Sequence, residues 1–133
     1  MTVLGYSAFD NPDLALLLGQ AQVQFNFSFQ LVESAIVAAG TTLATGKQLN
    51  ADVSSIGTVT SGTGVVLKDT YPGRSKIVAN LGAASLLVYP PTASEIINAK
   101  SAGAGITLTT SQIAVFTKID ATHWIAYTAT QSS

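Results

Sequence analysis

The chain has 133 residues, no cysteine, a net charge of −1, and 10% charged against 47% apolar side chains. Its length fits one domain able to bury a core of its own. The missing cysteine excludes disulfides and thiolate chemistry, and the singly scattered charges form no basic cluster for nucleic acid or an anionic membrane.

A charged fraction this far below the usual ~25%, with a mean hydropathy of +0.41, needs an outlet for apolar surface. The longest apolar runs, such as Leu14–Leu18 and Ser34–Ala39, are far shorter than the ~20 residues of a spanning helix. No basic flank precedes an apolar run at the start, so no signal peptide is expected. Contact between subunits is the expected outlet.

In chain order, residues 1–20 read as an arm. Asn11-Pro12-Asp13 is a helix-start signal, with Asn as the cap, Pro at the first helical position and Asp at the positive end of the dipole. Leu14, Leu17 and Leu18 share one face before Gly19 ends the turn. One or two turns are marginal without docking. Residues 21–31 then alternate: Ala21, Val23, Phe25, Phe27, Phe29 and Leu31 on one side, uncharged polar side chains on the other. Period two over that length predicts a strand. Its polar side lacks the charges that protect an edge, so it is expected to touch protein. Asn26-Phe27-Ser28 matches a glycosylation sequon and, with no secretion signal expected, is read as chance.

Short strands then recur at close spacing. They are predicted at Ser34–Ala38, Thr41–Leu43, Gly46–Asn50, Ser55–Val59, Gly64–Leu67, Ser75–Asn80, Ser85–Tyr89, Gly105–Thr109, Ile113–Lys118 and His123–Thr128, with Gly, Asn, Asp, Ser and Pro between them. This pattern predicts an all-β fold, an antiparallel β-sandwich or jelly roll over residues 21–133. Ala93–Lys100 is read as a short helix or turn, and Asp120-Ala121-Thr122 as a tight turn between the last two strands.

Candidate chemistry is sparse. Ser61-Gly62-Thr63-Gly64 precedes a strand rather than a helix and lacks the Gly-Lys-Ser/Thr of a phosphate loop, so it reads as a turn. His123 is the only histidine, with Asp120 three residues before it; that spacing fixes no triad geometry, and no ligand cluster for a metal is visible. Asp69 and Arg74 bracket Tyr71-Pro72-Gly73 and are expected to pair across that turn. Trp124, Tyr127, Phe116 and Tyr89 could make a sugar-stacking platform, but Phe116 and Trp124 are better read as core on paired strands. No catalytic residue, cofactor site or metal site is assigned, and no enzyme activity is expected.

Gly64–Leu67, Val78–Gly82, Leu86–Pro90, Ile97–Asn98, Ala114–Phe116 and Trp124 together carry a pattern. A Gly-Val-Val-Leu strand, a Val-x-Asn-x-Gly turn, a Leu-x-Val-Tyr-Pro strand, an Ile-Asn segment, an Ala-x-Phe strand and a Trp strand follow one another. The order resembles a module of tailed-bacteriophage structural proteins, over about residues 48–128. It departs at Lys68-Asp69, where the module often has proline. The resemblance implies a small β-sandwich used as a head decoration, or cement, protein. It further implies a homotrimer on the virion surface, assembled in the host cytoplasm, with the major capsid protein as partner. A phage tail-fibre or glycan-binding module is the alternative. Expected contact residues are Leu4, Tyr6, Phe9, Leu14, Leu17 and Leu18 of the arm, Phe25, Phe27 and Phe29 of the first strand, and Tyr71 and Arg74 of the turn.

Overall fold

The structure, a computed structural model, describes residues 30–132. The expected arm and the alternating strand through Phe29 lie outside the described residues. One compact unit begins at Leu31.

Among the described residues ten strands form: β1 (Val32–Val37), β2 (Lys47–Gln48), β3 (Val53–Thr58), β4 (Gly64–Val66), β5 (Ser75–Asn80), β6 (Leu86–Tyr89), β7 (Ile96–Ile97), β8 (Ile106–Leu108), β9 (Gln112–Lys118) and β10 (His123–Thr130). From β1 to β9 successive strands do not pair. They alternate between a six-stranded sheet, ordered β1-β3-β5-β9-β10-β7, and a four-stranded sheet, ordered β2-β4-β6-β8. Each strand up to β8 therefore hands the chain across to the other sheet. After two crossings the chain runs alongside its earlier self in the same direction, so β1-β3-β5 and β2-β4-β6 are parallel stacks. Val32, Val53 and Ile77 occupy one place in three successive coils.

The chain is thus all-β, but it is a β-solenoid and neither an antiparallel sandwich nor a jelly roll. Five of its eight strand pairings are parallel. The physical reason for the difference is simple. Apolar alternation and turn residues mark where a strand lies, and both are the same for a hairpin as for an arch that crosses to a second sheet. Apart from a single bridge between Ala39 and Gly64, antiparallel pairing enters only after the third coil, where β8 runs back along β6, and β9 along β5. The β9–β10 hairpin closes the unit, through the tight turn expected at Asp120–Thr122. Two further expectations change. Thr41–Leu43 is a turn rather than a strand, and Ala93–Lys100 holds the short strand β7 between turns.

The core lies between the sheets. Ile56, Val78, Phe116 and Trp124 of the larger sheet meet Val65, Leu86, Val88 and Leu108 of the smaller one, and all are buried. Each such side chain contributes about 1.5–3 kcal/mol over its exposed state. Asn80, also fully buried, is satisfied on every side that matters: its amide donates to the carbonyls of Ala84 and Leu108, each at 2.9 Å, and its oxygen accepts from the Gly82 N–H at 3.0 Å. It joins the end of β5 to the following turn and to β8, where an apolar residue would leave three backbone groups without partners.

Around Gly64 and Gly105 the smaller sheet is covered on its far side by its own chain. Tyr89 alternates with inward Val88 and lies over Gly64 and Gly105. A Cβ at Gly64 would stand 2.6 Å from the Tyr89 ring, so only glycine admits the ring at that depth. The Tyr89 hydroxyl donates to the Thr41 carbonyl at 2.9 Å, fixing the loop that precedes β2.

Candidate functional site

The larger sheet positions an unusual group of polar side chains on its inner side. Lys118 on β9 and Trp124 on β10 are directly opposed in the antiparallel ladder, and both side chains are buried. The Trp124 Nε1–H donates to Glu95 Oε1 at 2.6 Å, and the Thr92 hydroxyl donates to Glu95 Oε2 at 3.0 Å. The Lys118 ammonium lies 2.7 Å from Asp69 Oδ1, 3.4 Å from Glu95 Oε1 and 5.6 Å from the Trp124 ring centroid. Glu95 is only 4% exposed. A buried carboxylate and a buried ammonium each need such partners, because an unpaired charge there would be strongly unfavourable.

Burial pushes the Lys118 ammonium toward its neutral form. The hydrogen bond to Asp69 and the fields of Glu95 and Asp69 outweigh that push, and its pKa stands above the ordinary 10.5. The Lys118 hydrogen bond likewise holds the Asp69 carboxyl below its ordinary 3.8, against a smaller opposing effect of burial.

Through Asp69 this network reaches the surface. The loop between β4 and β5 is held to β9 by the Gly73 N–H on the Lys118 carbonyl, at 2.6 Å, and by the Lys118 N–H on the Arg74 carbonyl, at 3.0 Å. Asp69, Thr70 and Tyr71 line a cavity of about 300 Å³ there, and the Tyr71 side chain is 79% exposed beside it. Asp69 also accepts the Thr70 N–H at 2.8 Å. The expected Asp69–Arg74 pair is not what forms: Asp69 turns inward to Lys118. The cavity offers an aromatic ring, a hydroxyl and a carboxylate already engaged by a cation. Among the described lining residues there is no nucleophile–base pair.

A second lysine repeats the inward placement. Lys76 on β5, also buried, donates to Asp52 Oδ1 at 2.5 Å, while the Leu31 N–H donates to Asp52 Oδ2 at 2.9 Å. These two bonds, the lysine first, hold the Asp52 carboxyl below its ordinary range. This pair ties the entry to β1 onto β5.

Tyr71 and Arg74 are thus brought to one exposed loop. The other expected contact residues, Leu4, Tyr6, Phe9, Leu14, Leu17, Leu18, Phe25, Phe27 and Phe29, lie outside the described residues. Phe116, Trp124 and Tyr89 are buried and make no platform, whereas Tyr127 is exposed. His123 Nδ1 lies 2.9 Å from Asp120 Oδ1 across the last turn. Asp120 sits below its ordinary pKa, chiefly through the Thr122 N–H and then through His123. Among the described residues no group of three or more His, Cys, Asp or Glu could hold a metal, and no helix is long and apolar enough to cross a membrane.

Sequence reasoning missed the Glu95–Lys118–Trp124 network. A signal existed: Ala114, Phe116 and Lys118 share one parity of a strand, so a core assignment for Phe116 carries Lys118 inside with it. No protein-family model, no curated protein and no solved structure matches the chain.

Proposed function

We propose that the chain is a structural protein of a tailed-bacteriophage particle. In this reading it is a head decoration protein that binds the outer capsid surface as an oligomer and stabilises the shell. Three copies suit the three-fold positions of a capsid lattice. One observation carries the non-catalytic half of the reading: the five described acids, Glu33, Asp52, Asp69, Glu95 and Asp120, are all held by partners within the coil. Lys76 is used on Asp52, Lys118 on Asp69 and Glu95, and Asp120 on His123 and its own turn. The phage half rests on the motif order from Gly64 to Trp124.

A protein of this kind acts by mass action. It binds the assembled lattice better than free subunits, so dissociation must first break its contacts. Several footholds around a symmetry axis add avidity. The test is its copy number in purified virions, measured by quantitative mass spectrometry. Copies on the order of those of the major capsid protein are expected, and a handful per particle would sink the decoration role.

The cavity at Asp69–Tyr71 favours a second reading, a glycan-binding tail-fibre module, because an exposed ring beside hydroxyl and carboxylate groups is what a sugar stacks on. Low copy number, together with glycan binding lost in Tyr71→Ala, would select it.

A further inference from the structure

The outer side of the six-stranded sheet carries an unbroken apolar row. Val32 on β1 is in register with Val53 on β3, Val53 with Ile77 on β5, Ile77 with Val115 on β9, and Val115 with Tyr127 on β10. The row crosses five adjacent strands. Its two ends are open to solvent, Val32 at 70% and Tyr127 at 73% exposure. The parallel row on one side runs Ser75, Thr117, Ile125, and on the other Ser55, Ala79, Ile113. None of these positions is charged.

The absence of charge is a matter of direction. The Lys, Asp, Glu or Arg residues of this sheet's strands are Glu33, Lys76 and Lys118. Lys76 and Lys118 are buried on the inner side. Glu33 pairs in register with buried Ser54 and accepts the Asn50 N–H at 2.6 Å. His123 stands at the corner of the sheet, turned to Asp120. A sheet with one solvated side normally shows the opposite polarity, with charges out and apolar residues in.

We propose that this face packs against the same face of a second copy of the chain. Charge decides the kind of partner. An uncharged face has nothing to offer a charged surface, whose groups would lose water without gaining partners. A second copy presents the same uncharged face and is matched by construction, as in isologous contacts. Size agrees. Five strands spaced ~4.8 Å apart, over four to five residues rising ~3.3 Å each, span about 320–400 Å² in plan. That lies within the ~300–600 Å² of a monomer's largest patch, which is often functional, and it would form the apolar centre of a standard interface of ~800 Å² per partner. Such a contact is two-fold and pairs two copies; an assembly of three would need a different, head-to-tail contact. The inference deepens the oligomeric half of the reading above and is independent of the capsid half, because it is tested on the purified protein alone.

The experiment is multi-angle light scattering and analytical ultracentrifugation of the full chain at micromolar concentration, on wild type, Val32→Lys, Tyr127→Lys and Tyr71→Lys. Val32 and Tyr127 are exposed enough to accept lysine in a folded monomer, which far-UV circular dichroism checks. The expected result is a dimer whose dissociation constant rises at least tenfold in Val32→Lys and Tyr127→Lys. Tyr71→Lys, equally exposed but off the face, should associate as wild type does. A monomeric wild type overturns the proposal and leaves the face to another occupant. Undiminished association of folded Tyr127→Lys overturns it as well.

Discussion

The two sheets of this coil treat their outer sides differently. On the four-stranded sheet the outer side is finished from within: Tyr89 fills the space over Gly64 and Gly105, and its hydroxyl pins the Thr41 loop across it. On the six-stranded sheet the outer side presents Val, Ile, Ser, Thr, Ala and Tyr, while the sheet's lysines point into the molecule. The first arrangement uses small residues to admit a large cover. The second carries Val, Ile and Tyr across five strands and leaves the cover to something else. Inward lysines follow from the same choice, since a coil that keeps charge off its outer face must satisfy it inside.

That reversed polarity breaks most sharply at Lys118. Lys118→Met removes the cation between Asp69 and Glu95 and leaves a buried carboxylate with only Trp124 and Thr92 as donors. Breaking a buried pair from one side costs about 3–5 kcal/mol, and urea unfolding should show a loss of that order. Adding Glu95→Gln removes the orphaned charge while keeping an acceptor for Trp124, so the double variant should recover part of the loss. Equal destabilisation of single and double variants would mean that Lys118 acts by packing alone.

The covered side should respond to a single methyl group. Gly64→Ala places a carbon within 2.6 Å of the Tyr89 ring and 2.9 Å of the Leu87 carbonyl oxygen. The backbone cannot yield cheaply, and overpacking of this kind costs about 1–3 kcal/mol. Gly62→Ala separates space from conformation, because nothing stands near its Cβ although its φ is +85°. Thermal melts should rank Gly64→Ala as the variant that also frees the Thr41 loop to hydrogen exchange.

Acid and alkali probe the inward charges together. Asp52 and Asp69 have depressed pKa values, so their contribution is present above about 3.8 and is lost as pH falls through their folded values. Lys118 has a raised pKa, so its contribution is present below about 10.5 and is lost as pH rises through its folded value. Stability from these groups should be flat between those limits. In Lys118→Met the alkaline loss should shrink while the acid loss from Asp52 stays. An unchanged alkaline limb would assign that loss to another group.

Much of the fold was readable from the chain, and the limits have physical causes. Ser75–Asn80 was bounded correctly, and most other strands to within a few residues, because alternation and turn residues act locally. Strand direction was not readable, since arch and hairpin share those local signals. β7 was missed because two residues, Ile96 and Ile97, carry no period. The Asp69–Arg74 pair was inferred from nearness in sequence, whereas Lys118, distant in the chain, sits on the sheet beneath the loop. The outer apolar row was present in Ile77-Val78-Ala79 and Val115-Phe116, where both parities of a strand are apolar. Such a strand is covered on both sides or seeks a cover, and only the pairing register shows that these positions line up.

The smallest effect on stability should come from the open face, and that smallness is informative. Tyr127→Ala removes a side chain that is 73% exposed in the single chain. With so little of the ring in contact with its own coil, a monomer should lose no more than about 0.5 kcal/mol, the usual range for surface substitutions. The same change at an interface removes an aromatic anchor, the residue type in which binding energy concentrates. The melting temperature should therefore fall little at dilutions where the chain is monomeric. The gap from wild type should widen as concentration rises, because assembly stabilises wild type by mass action and the variant less. A concentration-independent gap would mean that Tyr127 serves its own fold. A gap that widens equally in Tyr71→Ala would move the contact to the Asp69–Tyr71 loop, whose exposed ring lies on the other candidate surface.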